Sequence, residues 1–221
     1  MLRDVEMTEI SDGERYRNSD MAKVGCNDCK GCCDCCKGMG SSIVLDPYDV
    51  HRLTGHLNRS FESLIGDALE LTVVDGLILP CLAMKGEEEA CTFLNEEGRC
   101  SIHPYRPGIC RIFPLGRIYE EDGFSYFLQT KECSHFQRTK VKVKKWIDTP
   151  NLEQYDAFIM KWHNLVVTLR EQVAELMASE DNKAEIKKIS MELLQKFYMQ
   201  AYRDREGFFD EFSRRCEEYG K

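Results

Sequence analysis

Cys26-Asn27-Asp28-Cys29-Lys30-Gly31-Cys32-Cys33-Asp34-Cys35-Cys36 places six of the chain's 12 cysteines within eleven positions. Thiolates this dense repel one another and oxidise readily when left free. A soft metal ion or an iron–sulfur cluster removes both problems, because it binds the thiolate form directly. The alternative, a disulfide framework, belongs to oxidising compartments and smaller secreted chains. Adjacent pairs such as Cys32-Cys33 and Cys35-Cys36 are also poor disulfide partners on geometric grounds. The run therefore reads as metal chemistry.

Working outward, the 221 residues allow one sizeable domain or a domain with an appendage. The opening MLRDVEMTEI carries acids where an export signal needs an apolar core, and no apolar run is long enough to cross a bilayer. A cytoplasmic location is the expectation. A net charge of −8 argues against a nucleic-acid partner, since phosphate binding relies on clustered cations. The basic group Lys140, Lys142, Lys144 and Lys145 reads as a solvated loop or edge. Metal ions are the expected partners, with a protein substrate or partner left open.

Three stretches divide the chain: a polar tail over 1–25, a cysteine-cluster metal-binding domain over 26–148, and a helical region over 149–221. The expected fold class is α+β, a small cysteine-rich domain of short β-hairpins and helices followed by a C-terminal helical hairpin. Ile43-Val44-Leu45 reads as a short strand, and Asp46-Pro47 as the cap and first residue of a helix with Asp49 in its first turn. Asp75-Gly76 marks a hairpin turn between Leu71-Thr72-Val73-Val74 and Leu77-Ile78-Leu79. Asn95-Glu96-Glu97-Gly98 and Glu121-Asp122-Gly123 signal two more. Beyond Pro150, apolar residues from Leu152 to Leu176 recur every three or four positions, the period of a long helix. A second helix is expected from Asn182, with Glu185 completing a capping box, and a third, short one around Phe208, Phe209 and Phe212 after Gly207. The aromatic stripes of these helices are expected to pack on the cysteine-rich part.

Cys81, Cys91, Cys100, Cys110 and Cys133 follow the run, spread over loops and hairpins from which several sulfurs can be aimed at one point. Zinc takes four such ligands in a closed tetrahedron, and a [4Fe–4S] cluster also takes four; spacing alone does not separate them. Cys26-x2-Cys29-x2-Cys32-x3-Cys36 repeats the bacterial ferredoxin spacing, with Lys37 in place of its Pro, and Cys29-x3-Cys33-x2-Cys36 repeats the radical-SAM spacing. Six cysteines in eleven positions generate such sub-patterns by chance. Lone Cys216 lies far from the rest in sequence and is not expected to be a ligand.

A more specific likeness covers about half the chain. Cys29-Lys-Gly-Cys32-Cys33-Asp-Cys35-Cys36 resembles the CxxCxxCC signature of the YkgJ-type cysteine-cluster family. The run from Cys91 to Pro114, CTFLNEEGRCSIHPYRPGICRIFP, is similar to that family's second signature through Cys91, Phe93, Leu94, Cys100, Arg106, Pro107, Cys110, Arg111, Phe113 and Pro114. The resemblance implies a zinc- or iron-chelating domain with one or two metal centres, held by Cys29, Cys32, Cys35, Cys36, Cys91, Cys100, Cys110 and Cys133. Cys33 departs from the pattern, where Gly is common, and Cys26 and Cys81 are additional. A related protein, flagellin lysine N-methylase, has a similar cysteine pattern, so the resemblance also opens the alternative of an iron–sulfur, S-adenosylmethionine-linked protein-modifying enzyme. An iron–sulfur cluster, [4Fe–4S], is the slightly favoured cofactor over zinc because so many cysteines crowd one loop.

Arg106 and Arg111 flank Cys110. Their guanidinium groups are candidates to steady a thiolate centre or grip a substrate carboxylate, the other reading being ordinary pairing with acids. His103 and His135 sit near Cys100 and Cys133, where each either replaces a sulfur, hydrogen-bonds one, or is a surface histidine.

Overall fold

The computed structural model describes residues 7–26, 32–135, 137–178, 182–203 and 207–219. The chain is a mixture of helices and short antiparallel strand pairs, the α+β architecture expected of it. It forms two compact units: residues 44–83 with 151–221, and residues 2–43 with 84–150.

The first unit opens with α2 (Pro47–Leu57), following the short helix α1 (Met7–Ile10) of the other unit. Asp46 caps α2 by accepting the Asp49 N–H at 2.8 Å, while the Asp49 carboxylate accepts the Asp46 N–H at 3.3 Å. Two N–H groups that the helix leaves without partners are thereby satisfied. The helix stops at Asn58, whose φ of 51° is left-handed. Ser60 then caps the short α3 (Phe61–Leu64). The predicted Asp75-Gly76 turn joins β2 (Leu69–Val74) to β3 (Leu77–Leu82), with φ of 49° and 87° at its two residues. Both values are positive, as the tight hairpin turn that matches strand twist requires. Ile43-Val44-Leu45 is not a strand: it makes one bridge, Val44 to Cys81, and one ladder-like bond, Leu45 N–H to Pro80 O.

Helix α6 (Leu152–Met177) carries the predicted stripe, with Tyr155, Phe158, Ile159, Val166, Leu169 and Val173 buried. Helix α7 (Lys183–Leu194) continues into a π-turn over 195–199 that buries Phe197 and Tyr198, ending before Gly207. The expected capping box at Asn182 is not made. Its ψ of 14° turns the residue away from the extended cap geometry, and its side-chain amide donates to Leu176 O at 3.1 Å, closing the end of α6 instead. Phe158 packs among Tyr48, Tyr155, Phe208, Phe209 and Phe212, the last three from or beside α8 (Phe208–Tyr219). The aromatic stripes thus pack on one another and on α2, which lies within the 26–148 stretch read as the cysteine-rich part.

The second unit joins strands distant in sequence. Met21–Gly25 (β1) pairs antiparallel with Thr139–Lys142 (β8), with Ala22 and Val24 fully buried. The segment read as a polar tail therefore contributes a core strand, its apolar alternation only two residues long. Lys140 and Lys142 lie on β8, in keeping with an edge. The remaining pairs are β4 (Met84–Lys85) with β5 (Ala90–Cys91), and the predicted hairpin β6 (Leu115–Glu120) with β7 (Gly123–Leu128). Two short helices, α4 (Gly108–Ile112) and α5 (Val143–Ile147), complete it. Trp146 Nε1 donates to Ile112 O and Phe113 O at 3.2 and 3.1 Å, holding the end of α4 beside α5. Among the described residues no helix is long and apolar enough to cross a membrane.

Candidate metal centre

Cys29 lies outside the described residues, as does the rest of 27–31. Downstream, Asp34–Cys36 is one turn of 3-10 helix, closed by the Cys36 N–H on Cys33 O at 2.8 Å. Lys37 then bridges to Ala90, and the Gly38 N–H donates to Glu89 O at 3.0 Å. Those bonds pin the cysteine run to the β4–β5 hairpin that ends in Cys91. The loop after Cys91 folds back on itself: Leu94 bridges Cys100, and the Ser101 N–H donates to Phe93 O at 2.8 Å. Gly98, at a φ of 69°, makes the reversal that a side chain would strain.

Cys35, Cys36, Cys91 and Cys100 consequently form one group whose acidities answer to one another. The Cys36 thiol donates to Cys35, which lowers Cys35 to about 7; the charge of Arg106 adds to the effect against burial. Cys36 is pushed up by that same bond, by burial, and by the charges of Cys35, Cys91 and Cys100. Burial raises Cys91 and Cys100, each reinforced by the charge of Cys35, while Arg106 pulls Cys100 back. Arg106 also holds His103 Nε2 at 2.8 Å. In the metal-free protein, iodoacetamide should therefore alkylate Cys35 first, at half its maximal rate near pH 7. Below that pH the thiolate protonates and the rate falls. Peptide mass mapping across pH checks this; Cys216, pushed up to about 11 by burial, should stay unlabelled.

A second group contains Cys26, Cys32 and Cys133. Burial raises the Cys133 thiol, the charges of Cys26 and Cys32 add to it, and Arg138 opposes them. Cys32 Sγ lies 3.8 Å from Ser134 Oγ. Cys26, Cys32, Cys35 and Cys133 line a cavity of about 20 Å3, with His135, Phe113 and Trp146 among its other walls. Both groups share a local device. The sulfurs of Cys91, Cys100 and Cys133 each accept the backbone N–H two residues on, from Phe93, Ile102 and His135. Such bonds favour the thiolate and aim it. In sequence the device is Cys-Thr-Phe, Cys-Ser-Ile and Cys-Ser-His, a repeated Cys-[Ser/Thr]-x that spacing arguments passed over.

Among the described residues, no group of three or more Cys, His, Asp or Glu side chains is placed so that it could hold a metal ion. The groups are loose assemblies. By chemistry their donor sets are of the kind a soft metal takes, being sulfur-rich and mostly half-buried, with Cys91, Cys100 and Cys133 held by backbone bonds.

Comparison against known families places the chain. The chain belongs to the CxxCxxCC family. That family's model, described as "Putative zinc- or iron-chelating domain", matches residues 28–152. No curated protein and no solved structure matches the chain.

The family's remaining signature residues have different surroundings. Cys110 is half-buried on α4. Its neighbour Arg111 is buried and donates to Pro104 O at 2.6 Å, Asp148 O at 2.9 Å and Ile147 O at 3.5 Å, tying α4 to the end of α5. Those bonds give the guanidinium an architectural place. Cys33 opens the 3-10 turn, and its charge acts on Lys37. Cys81 is buried on β3, in the other unit, and its thiol donates to Glu70 O at 3.6 Å. Cys216 lies on α8, likewise in that unit.

Proposed function

We propose that the chain is a metal-holding protein of structural or accessory role in which Cys35, Cys36, Cys91 and Cys100 present four thiolates to one iron–sulfur cluster. The observation that carries this reading is the backbone pairing that draws the Cys35-Cys36 turn, Cys91 and Cys100 together, through the Lys37–Ala90 and Leu94–Cys100 bridges, with the charge of Arg106 acting on Cys35 and Cys100. Four thiolates in one place repel; a bound cation turns that repulsion into attraction. A [4Fe–4S] cluster takes four cysteines, and its bound thiolates leave net negative charge that Arg106 offsets. Cys29, Cys32, Cys110 and Cys133 complete the ligands that the family pattern supplies. Arg111 serves the metal-holding unit indirectly, by fixing the helix that presents Cys110.

Metal and inorganic sulfide content, with a visible spectrum, on protein purified without oxygen tests the assignment. Iron and sulfide with broad visible absorption that bleaches on reduction support it. A colourless protein with zinc at every site and neither iron nor sulfide overturns the iron assignment.

A further inference from the structure

We infer that the exposed face of the β1–β8 pair is a binding site for a small phosphate monoester that also carries an amine. The site uses none of the cysteines and is independent of the metal-holding reading above. Its cations are Lys140, from the basic group noted in the sequence, with Lys23 and Arg138.

Strand pairing brings the cations together. The register sets Lys23 directly opposite Lys140, and both side chains are exposed. Like charges at such positions destabilise a strand pair, so the arrangement works against the fold until an anion neutralises it. Arg138, two residues before Lys140, lines the same groove of about 510 Å3 as the two lysines. Among the described residues none of the three forms an ion pair, and Arg138 Nη1 has no hydrogen-bond partner. Acids are not scarce. The chain has 38 of them to 30 Lys and Arg, and in the same unit Arg15 and Arg17 both reach Glu120 while Lys37 reaches Glu88.

The rest of the groove sets the other half of the ligand. Asp12, Glu14 and Tyr16 line it from a segment bonded along β7, with the Asp12 N–H on Leu128 O at 3.2 Å and the Tyr16 N–H on Tyr126 O at 2.8 Å. The Tyr16 hydroxyl donates to Asp12 Oδ2 at 2.5 Å, and the Glu14 N–H donates to Oδ1 at 3.2 Å. Those bonds keep the Asp12 carboxylate on its own segment, so charges of both signs share the groove without pairing. A phosphate monoester brings about two negative charges and three terminal oxygens, one for each cation. An ammonium group at its other end donates to the carboxylates. The volume is that of a small-molecule site, and Met21 and Leu128 offer apolar surface to the carbons between.

The test is calorimetric titration of full-length protein, purified without oxygen, with O-phosphoethanolamine at an ionic strength fixed by sodium chloride. Saturable binding and a raised Tm are expected. The double variant Lys23→Gln with Lys140→Gln should bind about tenfold more weakly, or less. Without ligand it should be at least as stable as wild type, because a repulsion is relieved. Lysines that served only the fold would give the opposite sign. Arg138 stays in place, since its charge also acts on Cys133. Asp12→Asn with Glu14→Gln should not weaken binding of inorganic phosphate, but should remove the advantage of O-phosphoethanolamine over it. No saturable binding, wild-type affinity or a ligand-free loss of stability in the lysine variant, or equal wild-type affinity for the two phosphates overturns the inference. Tighter binding of a phosphoserine peptide than of O-phosphoethanolamine overturns the small-molecule assignment in favour of a protein partner. Metal and sulfide content, expected at wild-type levels in both variants, reports separately on the thiolate group, so either assignment can fall alone.

Discussion

Cys35→Ala and Cys100→Ala are each expected to empty the four-thiolate group and to unfold the unit built from residues 2–43 and 84–150. Both sulfurs belong to the coupled set, and nothing else in that set replaces a missing thiolate. Metal binding of this kind contributes about 10–16 kcal/mol to folding in small zinc-held domains, so losing one ligand of four removes much of what holds the loops together. The elements that carry these cysteines and their neighbours are short: β4–β5 pairs two residues on each side, and helices α4 and α5 have five residues each. Metal-to-protein ratio and thermal unfolding of the variants check the expectation together. Cys216→Ala serves as control, with unchanged metal content. A full metal complement in both Cys35→Ala and Cys100→Ala would remove them from the ligand set.

The second large effect lies in the other unit and involves no metal. Arg215→Met should destabilise it by about 3–5 kcal/mol, the cost of breaking a buried ion pair by removing one partner. Arg215 is 2% exposed and binds Glu211 at 2.6 Å. It also donates to the carbonyls of Lys196, Gln200 and Ala201 at 2.8, 2.7 and 2.9 Å, and its guanidinium lies 3.8 Å from the centre of the Tyr202 ring. Those carbonyls belong to the π-turn and the chain just after it, where helical bonding has run out. One planar fork satisfies them together. Arg215→Lys should recover little, because a single ammonium cannot span the set. Acid should weaken the same joint. Burial opposes the charge on Glu211, yet the Arg203 N–H and the Arg215 guanidinium outweigh it and hold its carboxyl below the ordinary range. Stability from this group is therefore present above the unfolded carboxylate pKa and is lost as pH falls through the lower, folded one. Urea unfolding at neutral and acidic pH, on wild type and Arg215→Met, measures both parts. An Arg215→Met protein as stable as wild type would refute the role.

Much of this was legible in the residue order alone, and for a shared reason: the signals are local. Six cysteines in eleven positions require a counter-charge whatever the fold. Asp75-Gly76 suits positive φ, Asp46 with Asp49 closes its own cap, and the stripe from Leu152 to Leu176 has a helix's period. Each depends on neighbours within a turn or two of chain. Tertiary structure decided what depends on partners far along the sequence. Strand β1 exists because Met21–Gly25 meets Thr139–Lys142, Gly25 and Thr139 lying 114 residues apart. Asn182 looks like a cap for its own helix and closes the preceding one, because a carbonyl of Leu176 lies within its reach. Arg111 reads as a cofactor ligand by position and is drawn to three carbonyls by the packing of α4 against α5. The same holds at the centre of the protein's chemistry. Residue order supplies the sulfurs and therefore the class of metal. Folding back of the 91–100 loop and of the chain through Ser134 sorts those sulfurs into two groups and encloses an imidazole nitrogen in one of them, because charge coupling and burial act through space.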